Sequence, residues 1–209
     1  RLDIDLNKPI VLFTQHSVTT EFKLAAEQIV PSLNALEELA KKGVQVIATY
    51  PNNDAGGCAI IEKLAEMDAR SIDGIQVHRS LGRYLYHGVL ALAKDPERKL
   101  VCAGNSSSGI KETPVFGCPT VNIGSRQSGR LRGQNVLDAD YGTSSVVDAV
   151  MRCIEDEKFR KTCLETDNPY YLGDAGKKIA EVLANEPIDE ALIRKQMTLR
   201  GETHDGWFR

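Results

Sequence analysis

The sequence predicts an α/β fold built on a parallel sheet. Three observations carry that expectation: short apolar runs recur along the chain, longer segments of helical period separate them, and turns rich in glycine, serine or asparagine follow the runs. Right-handed strand-helix-strand crossovers would then gather ligands at the carboxyl ends of the strands.

Ile10-Val11-Leu12-Phe13-Thr14 reads as the first strand. Residues 20–42 read as one long helix, with Pro31 as a potential kink and Gly43 as its natural stop. Gln45-Val46-Ile47-Ala48-Thr49 forms the second strand, followed by the turn Pro51-Asn52-Asn53-Asp54-Ala55-Gly56-Gly57 and a helix through Ile60, Ile61, Leu64 and Ala65. Ile75-Gln76-Val77 is the third strand, and Leu81, Tyr84, Leu85, Val89, Leu90 and Leu92 share a helix face. Leu100-Val101-Cys102-Ala103 is the fourth, with a helix expected after Gly104. Further strands fall at Thr120-Val121-Asn122-Ile123 and near Val136-Leu137, and helices near 144–155, 158–165 and 174–184. The stretch from 188 to 209 opens as a helix and ends in Thr203-His204-Asp205-Gly206-Trp207-Phe208, aromatic residues outside any core pattern.

With 42% hydrophobic and 26% charged positions, 209 residues can bury a full core as one large domain, or one domain with an appendage. A net charge of −3 and dispersed basic residues give no electrostatic footprint for nucleic acid. The five cysteines are odd in number and lack paired short spacings, so neither a disulfide framework nor a zinc site is expected, and the protein is expected to be reduced and cytoplasmic. No apolar stretch approaches the length that crosses a bilayer, so no membrane partner is expected. No spacing points to a metal, and no serine, histidine and aspartate order points to a hydrolase triad. The start at Arg1, with a polar run to Pro9, reads as a connector in a longer protein.

Chemistry concentrates at the expected strand ends. In Gly104-Asn105-Ser106-Ser107-Ser108-Gly109-Ile110-Lys111-Glu112, three serines and Gly109 stand where a helix should begin, and free amides plus hydroxyls there suit a diphosphate. The same run fits a plain helix cap equally well. Glu112 could accept hydrogen bonds from the vicinal hydroxyls of a ribose, or be a solvated first-turn glutamate. Gly124-Ser125-Arg126-Gln127-Ser128-Gly129-Arg130-Leu131-Arg132-Gly133 supplies three guanidinium forks for an anion, unless it is an ordinary surface loop. His16 lies just past the first strand, where an imidazole can donate to phosphate or exchange a proton. His78, His87 and His204 lack such a position.

Taken together, the run from Gly104 to Glu112, Phe116-Gly117-Cys118-Pro119-Thr120-Val121-Asn122-Ile123-Gly124-Ser125-Arg126-Gln127-Ser128-Gly129-Arg130 and Asn135-Val136-Leu137 resemble UDP-N-acetylglucosamine 2-epimerases. The likeness is strongest to their hydrolysing branch, which feeds sialic-acid-type sugar synthesis. His16, the turn from Pro51 to Gly56, Asn168-Pro169-Tyr170 and Gly173-Asp174-Ala175 also fit, so the resemblance extends to about residue 185. It implies a Rossmann-like domain, the C-terminal half of a two-domain GT-B enzyme, with residues 1–8 as linker and 9–185 as the UDP-binding domain; residues 186–209, which beyond Pro187 match no family pattern, are expected from their aromatic ending to pack on the missing N-terminal domain or a partner. It also implies Ser106 and Ser107 at the diphosphate, Glu112 at the ribose, Asn52 and Arg126 lining the nucleotide site, and His16 as the catalytic histidine beside the diphosphate. Gly109, Gln127 and Arg130 become candidate loop contacts.

The implied ligand is UDP or a UDP-sugar, with no cofactor and no metal. The implied reaction removes the C2 proton and expels UDP from C1, after which water adds with inversion at C2, releasing N-acetylmannosamine. The proton-transfer carboxylates belong to the family's other domain, and the whole enzyme is expected to be a homodimer. Asp95-Pro96-Glu97-Arg98-Lys99 lengthens the link before the fourth strand relative to the family. A UDP-2,4-diacetamido sugar is an alternative substrate, while a GT-B glycosyltransferase domain and a non-catalytic nucleotide-sugar sensor are alternative functions.

Overall fold

The computed structural model describes residues 2–171 and 173–194, together with the backbone of 203–204 and 207–208. It comprises two compact units, Arg1–Tyr170 and Tyr171–Arg209. In the first, strands β1 (Ile10–Thr14), β2 (Gln45–Thr49), β3 (Ile75–His78), β4 (Leu100–Gly104), β5 (Thr120–Ile123) and β6 (Val136–Ala139) form a six-stranded sheet in the order β3-β2-β1-β4-β5-β6. Every pairing is parallel, as the βαβ pattern predicts.

Alternation along β1 shows why the sheet needs two covered faces. Val11 and Phe13 join the core cluster beneath α1 (Ala25–Lys41), α2 (Gly57–Ala69), α5 (Thr143–Glu155) and α6 (Glu157–Leu164). Ile10 and Leu12 pack instead with Val89 and Leu90 of α3 (Gly82–Ala91) and with Cys102 and Cys118. All five cysteines are free, and burial pushes the Cys102 thiol up to about 12, so it behaves as a small apolar core residue.

Two expectations need correction. The helix expected over residues 20–42 begins only at Ala25, because Thr19–Leu24 forms a 3₁₀ segment broken at Glu21; Pro31 lies inside the continuous α1. The helix expected after Gly104 is a single turn, α4 (Ser108–Lys111), ahead of a 3₁₀ turn at Thr113–Phe116. Pro114 has no amide to donate, the Thr113 hydroxyl bonds back to the Gly109 carbonyl at 2.7 Å, and Gly117 ends the segment in the left-handed region. A dipole summed over four residues is slight, so anion binding here rests on individual N–H and O–H donors.

The second unit holds α7 (Ala175–Asn185), α8 (Glu190–Ile193) and an antiparallel pair of two-residue strands, β7 (Thr203–His204) and β8 (Trp207–Phe208). Ile179, Val182 and Leu183 lie exposed on one side of α7. The side chains of the aromatic tail lie outside the described residues. Among the described residues, no helix is long and apolar enough to cross a membrane.

Candidate functional site

Strand order reverses between β1 and β4, so the connections leaving their carboxyl ends diverge to opposite faces and open a crevice. Gly104 sets the closest approach there. Its φ is +121°, and a Cβ would stand 2.0 Å from the Thr14 carbonyl oxygen, so a larger residue would force the two strand ends apart.

Asn105, only 1% exposed, is the hub of the crevice. Its backbone N–H donates to the Thr14 carbonyl at 3.1 Å. Its side-chain oxygen accepts the His16 N–H at 2.6 Å, and its amide donates to the His16 carbonyl at 2.8 Å, clamping the loop after β1 from both sides. Arg126 Nη1 at 3.2 Å and Gln127 Nε2 at 2.7 Å both donate to the Asn105 carbonyl, drawing in the loop after β5. Sequence reasoning assigned this residue only a cap, whereas α4 receives no side-chain capping bond at its N-cap, Ser107.

The His16 ring is equally constrained. The Asn52 backbone N–H donates to its Nδ1 at 2.9 Å, so a neutral ring carries its proton on Nε2. Burial, and then the Arg126 charge, hold the imidazole pKa down to about 4, with Asp54 opposing. His16 is therefore a neutral donor at pH 7 in this arrangement. The depressed value also makes a stability prediction. The unfolded ring takes up a proton below about pH 6.5 while the folded ring resists until about 4. Stability attributable to His16 is thus complete above 6.5 and is lost as pH falls through that window. After a discount for solvent screening, the loss is about 1–2 kcal/mol. Urea melts of the parent and His16→Gln at pH 7 and pH 4 check this, and parallel losses in the two proteins would refute it.

Asp54 completes the near wall. Asn52 Nδ2 donates to its Oδ2 at 2.8 Å and Arg126 Nη2 lies 3.3 Å from the same oxygen. The Asn52 amide first, and Arg126 after it, hold the carboxyl below the usual carboxylate range. Of the loop's arginines, Arg126 faces this cluster and Arg130 stands exposed. Arg132 turns away into a bidentate pair with Asp138 at 2.6 and 2.7 Å. Gly109 is buried, and a Cβ there would meet Thr120 at 2.9 Å, so the missing side chain serves helix-strand packing.

Ser106 and Ser107 lie half-buried ahead of α4, and neither lines either of two nearby clefts. The first, about 380 Å³, is lined by Thr19, Thr20, Glu21, Arg126 and Arg130. The second, about 390 Å³, lies between Tyr50, Leu81, Tyr86, His87, Ser108 and Glu112. Glu112 Oε2 there accepts from His87 Nε2 at 2.8 Å and Ser108 Oγ at 3.2 Å. His87 and Asp54 are the side chains that sequence reasoning missed. In the Pro51–Gly56 turn the resemblance singles out Asn52 but gives Asp54 no role, and His87 stands among the apolar residues of α3 with no motif around it. Among the described residues, no cluster of three or more histidine, cysteine, aspartate or glutamate side chains could hold a metal ion.

Fold and crevice together define a Rossmann-like α/β domain whose polar loops converge at the strand-order switch. Residues 2–184 match the family model described as UDP-N-acetylglucosamine 2-epimerase, and the chain belongs to that family. A Neisseria meningitidis serogroup B protein named UDP-N-acetylglucosamine 2-epimerase is 32% identical over 173 residues, 81% of this chain and 41% of that protein. A Campylobacter jejuni protein named GDP/UDP-N,N'-diacetylbacillosamine 2-epimerase (hydrolyzing) is 32% identical over 160 residues, 77% of this chain and 39% of its own length. Among solved structures, the Neisseria meningitidis UDP-GlcNAc 2-epimerase bound to UDP-GlcNAc shares the fold, with a TM-score of 0.65, 19% identity, and coverage of 87% of this chain and 46% of that one. The chain spans less than half the length of these relatives.

Proposed function

We propose that this chain is the UDP-binding, C-terminal domain of a hydrolysing UDP-N-acetylglucosamine 2-epimerase with a two-domain GT-B architecture. The observation that carries the reading is convergence: His16, Asn52, Arg126 and the loop from Asn105 to Ser108 meet at one sheet switch point, with Glu112 on the adjoining cleft. In this reading the nucleoside occupies the cleft beside Tyr50 and Tyr86, with its ribose at Glu112. The diphosphate lies over Ser106 and Ser107, whose amides and hydroxyls supply donors, and reaches Arg126 and His16. Those donors stabilise the negative charge that collects on UDP as its bond to C1 breaks.

The overall conversion is UDP-N-acetylglucosamine plus water to N-acetylmannosamine plus UDP. Loss of the C2 proton and of UDP leaves a C1–C2 double bond. Water then adds across it, hydroxyl to C1 and proton to the opposite face of C2. The sequence is redox-neutral and calls for no electron-carrying cofactor. Acid and base for the C2 proton come from the partner domain across the cleft, so the isolated chain binds UDP weakly and does not turn over. The hydrolysing assignment draws on the Campylobacter relative's name, and the same name supports a 2,4-diacetamido sugar nucleotide as a second candidate substrate.

The test is an NMR time course of a full-length protein carrying this domain, supplied separately with UDP-N-acetylglucosamine and its 2,4-diacetamido counterpart. Free 2-epimerised sugar appearing with UDP is expected from one of them. Intact substrate in both tubes, an epimerised sugar still attached to UDP, or sugar transfer to an added acceptor would overturn the proposal.

A further inference from the structure

We propose that His87 is a positioning residue for the nucleotide, setting the orientation in which Glu112 meets the ribose diol and thereby the preference for ribose over deoxyribose. The inference rests on the reading that the cleft beside Glu112 takes a uridine nucleotide.

Glu112 is poorly fixed by its own backbone. It stands at the joint between α4 and the 3₁₀ turn, with φ −105° and ψ −40°, and its carboxylate swings on three rotatable bonds. A vicinal diol is best met by a carboxylate whose plane is already set, because two hydroxyls must find acceptors at once. Ser108 Oγ, at 3.2 Å, constrains Oε2 from its own turn of chain, and His87 Nε2, at 2.8 Å, constrains the same oxygen from α3. Two donors from different directions define an orientation that one cannot. They leave Oε1, which accepts no hydrogen bond among the described residues, to the ligand.

The His87 ring is held in turn. It lies 5.6 Å from the Phe116 ring, tilted by 48°, and 6.4 Å from Tyr86. These contacts limit rotation of the imidazole and keep Nε2 directed at the carboxylate.

A strut between α3 and the chain after β4 would be the plainer purpose of such a pair. Exposure argues against it. The two side chains are 40% and 43% exposed, and at that exposure competition from water leaves a polar pair adding little to folding. Both partners line the cleft itself, beside Ser108 and Tyr50.

The experiment titrates the 209-residue chain with UDP and with 2'-deoxy-UDP by NMR, in the parent, His87→Leu, His87→Gln and Glu112→Ala, with thermal melts confirming folding. Glutamine places an amide nitrogen where the imidazole Nε2 stood. The parent is expected to prefer UDP. His87→Leu should lower that preference about 5- to 10-fold, most of it returning in His87→Gln, because a charge-assisted bond to the ribose is weakened while the diphosphate contacts are untouched. Competition by inorganic pyrophosphate should be unchanged in His87→Leu. If Glu112→Ala erases the preference and His87→Leu preserves it, the positioning role is wrong while the site reading stands. If Glu112→Ala leaves the preference intact, the ribose assignment itself fails, and the role of His87 with it. If His87→Leu does not fold, His87→Gln alone decides: a preference near the parental value supports the role, and one at the Glu112→Ala level refutes it.

Discussion

Arg126→Ala is expected to weaken UDP binding about 10- to 100-fold while leaving the melting temperature within about 2 °C of the parent. The first figure follows from a hydrogen bond between ionised partners, worth about 1.5–3 kcal/mol, at about 1.4 kcal/mol per decade of affinity. The second follows from what Arg126 leaves behind. Asp54 loses a partner but is one-third exposed and keeps Asn52, while the Asn105 carbonyl keeps Gln127. Arg126→Lys should recover only part of the affinity, since an ammonium keeps the charge without the planar fork. Calorimetric titration with UDP at low and moderate salt measures all three proteins. Unchanged affinity in Arg126→Ala would place the phosphates elsewhere.

Asn105→Ala should act in the reverse way, through stability first. The change strips partners from the His16 N–H and carbonyl in a part-buried loop, where each abandoned group costs about 1–3 kcal/mol. A total of about 2–4 kcal/mol corresponds to a melting temperature roughly 5–12 °C lower for a unit of this size. UDP affinity should fall as well, because the clamp fixes His16 against Asn52. Asn105→Asp preserves the acceptor for the His16 N–H but opposes two oxygens at the other bond, so its melting temperature should fall between those of the parent and the alanine variant. A melting curve for Asn105→Ala that overlays the parent would show the clamp to be dispensable.

Much of this architecture is legible in the sequence alone. The apolar runs at residues 10–14, 45–49 and 100–104 mark three of the four interior strands, and the polar segments after the first and third of them fall at the crevice because parallel strands present their carboxyl ends together. The contacts across the crevice were not legible. His16 and Asn105 are 89 residues apart, and Arg126 and Asp54 are 72 apart. Their meeting depends on strand order, which a linear pattern of apolar runs does not encode. For the same reason Asn105 read as a helix cap, although its side chain is taken by a neighbouring strand's loop. Arg132 read as one of three anion-seeking arginines because charge alone cannot show that Asp138, six residues on, returns along β6 to meet it. The short α4 illustrates a different limit. The serine- and glycine-bearing run after Gly104 predicts a helix, and the structure holds it to one turn because Pro114, Gly117 and the Thr113 back-bond close the chain into a 3₁₀ segment.

The links from Thr14 through Asn105 to His16, and on through Asn52, Asp54 and Arg126, are all bonds between protein atoms. Side chains so tied have already surrendered much of the rotational freedom that a ligand would otherwise have to quench on arrival. On this wall of the crevice, therefore, association loses mainly the motion of the ligand itself. For the nucleotide proposed to bind here, capture by this pre-ordered wall carries little entropic cost on the protein side.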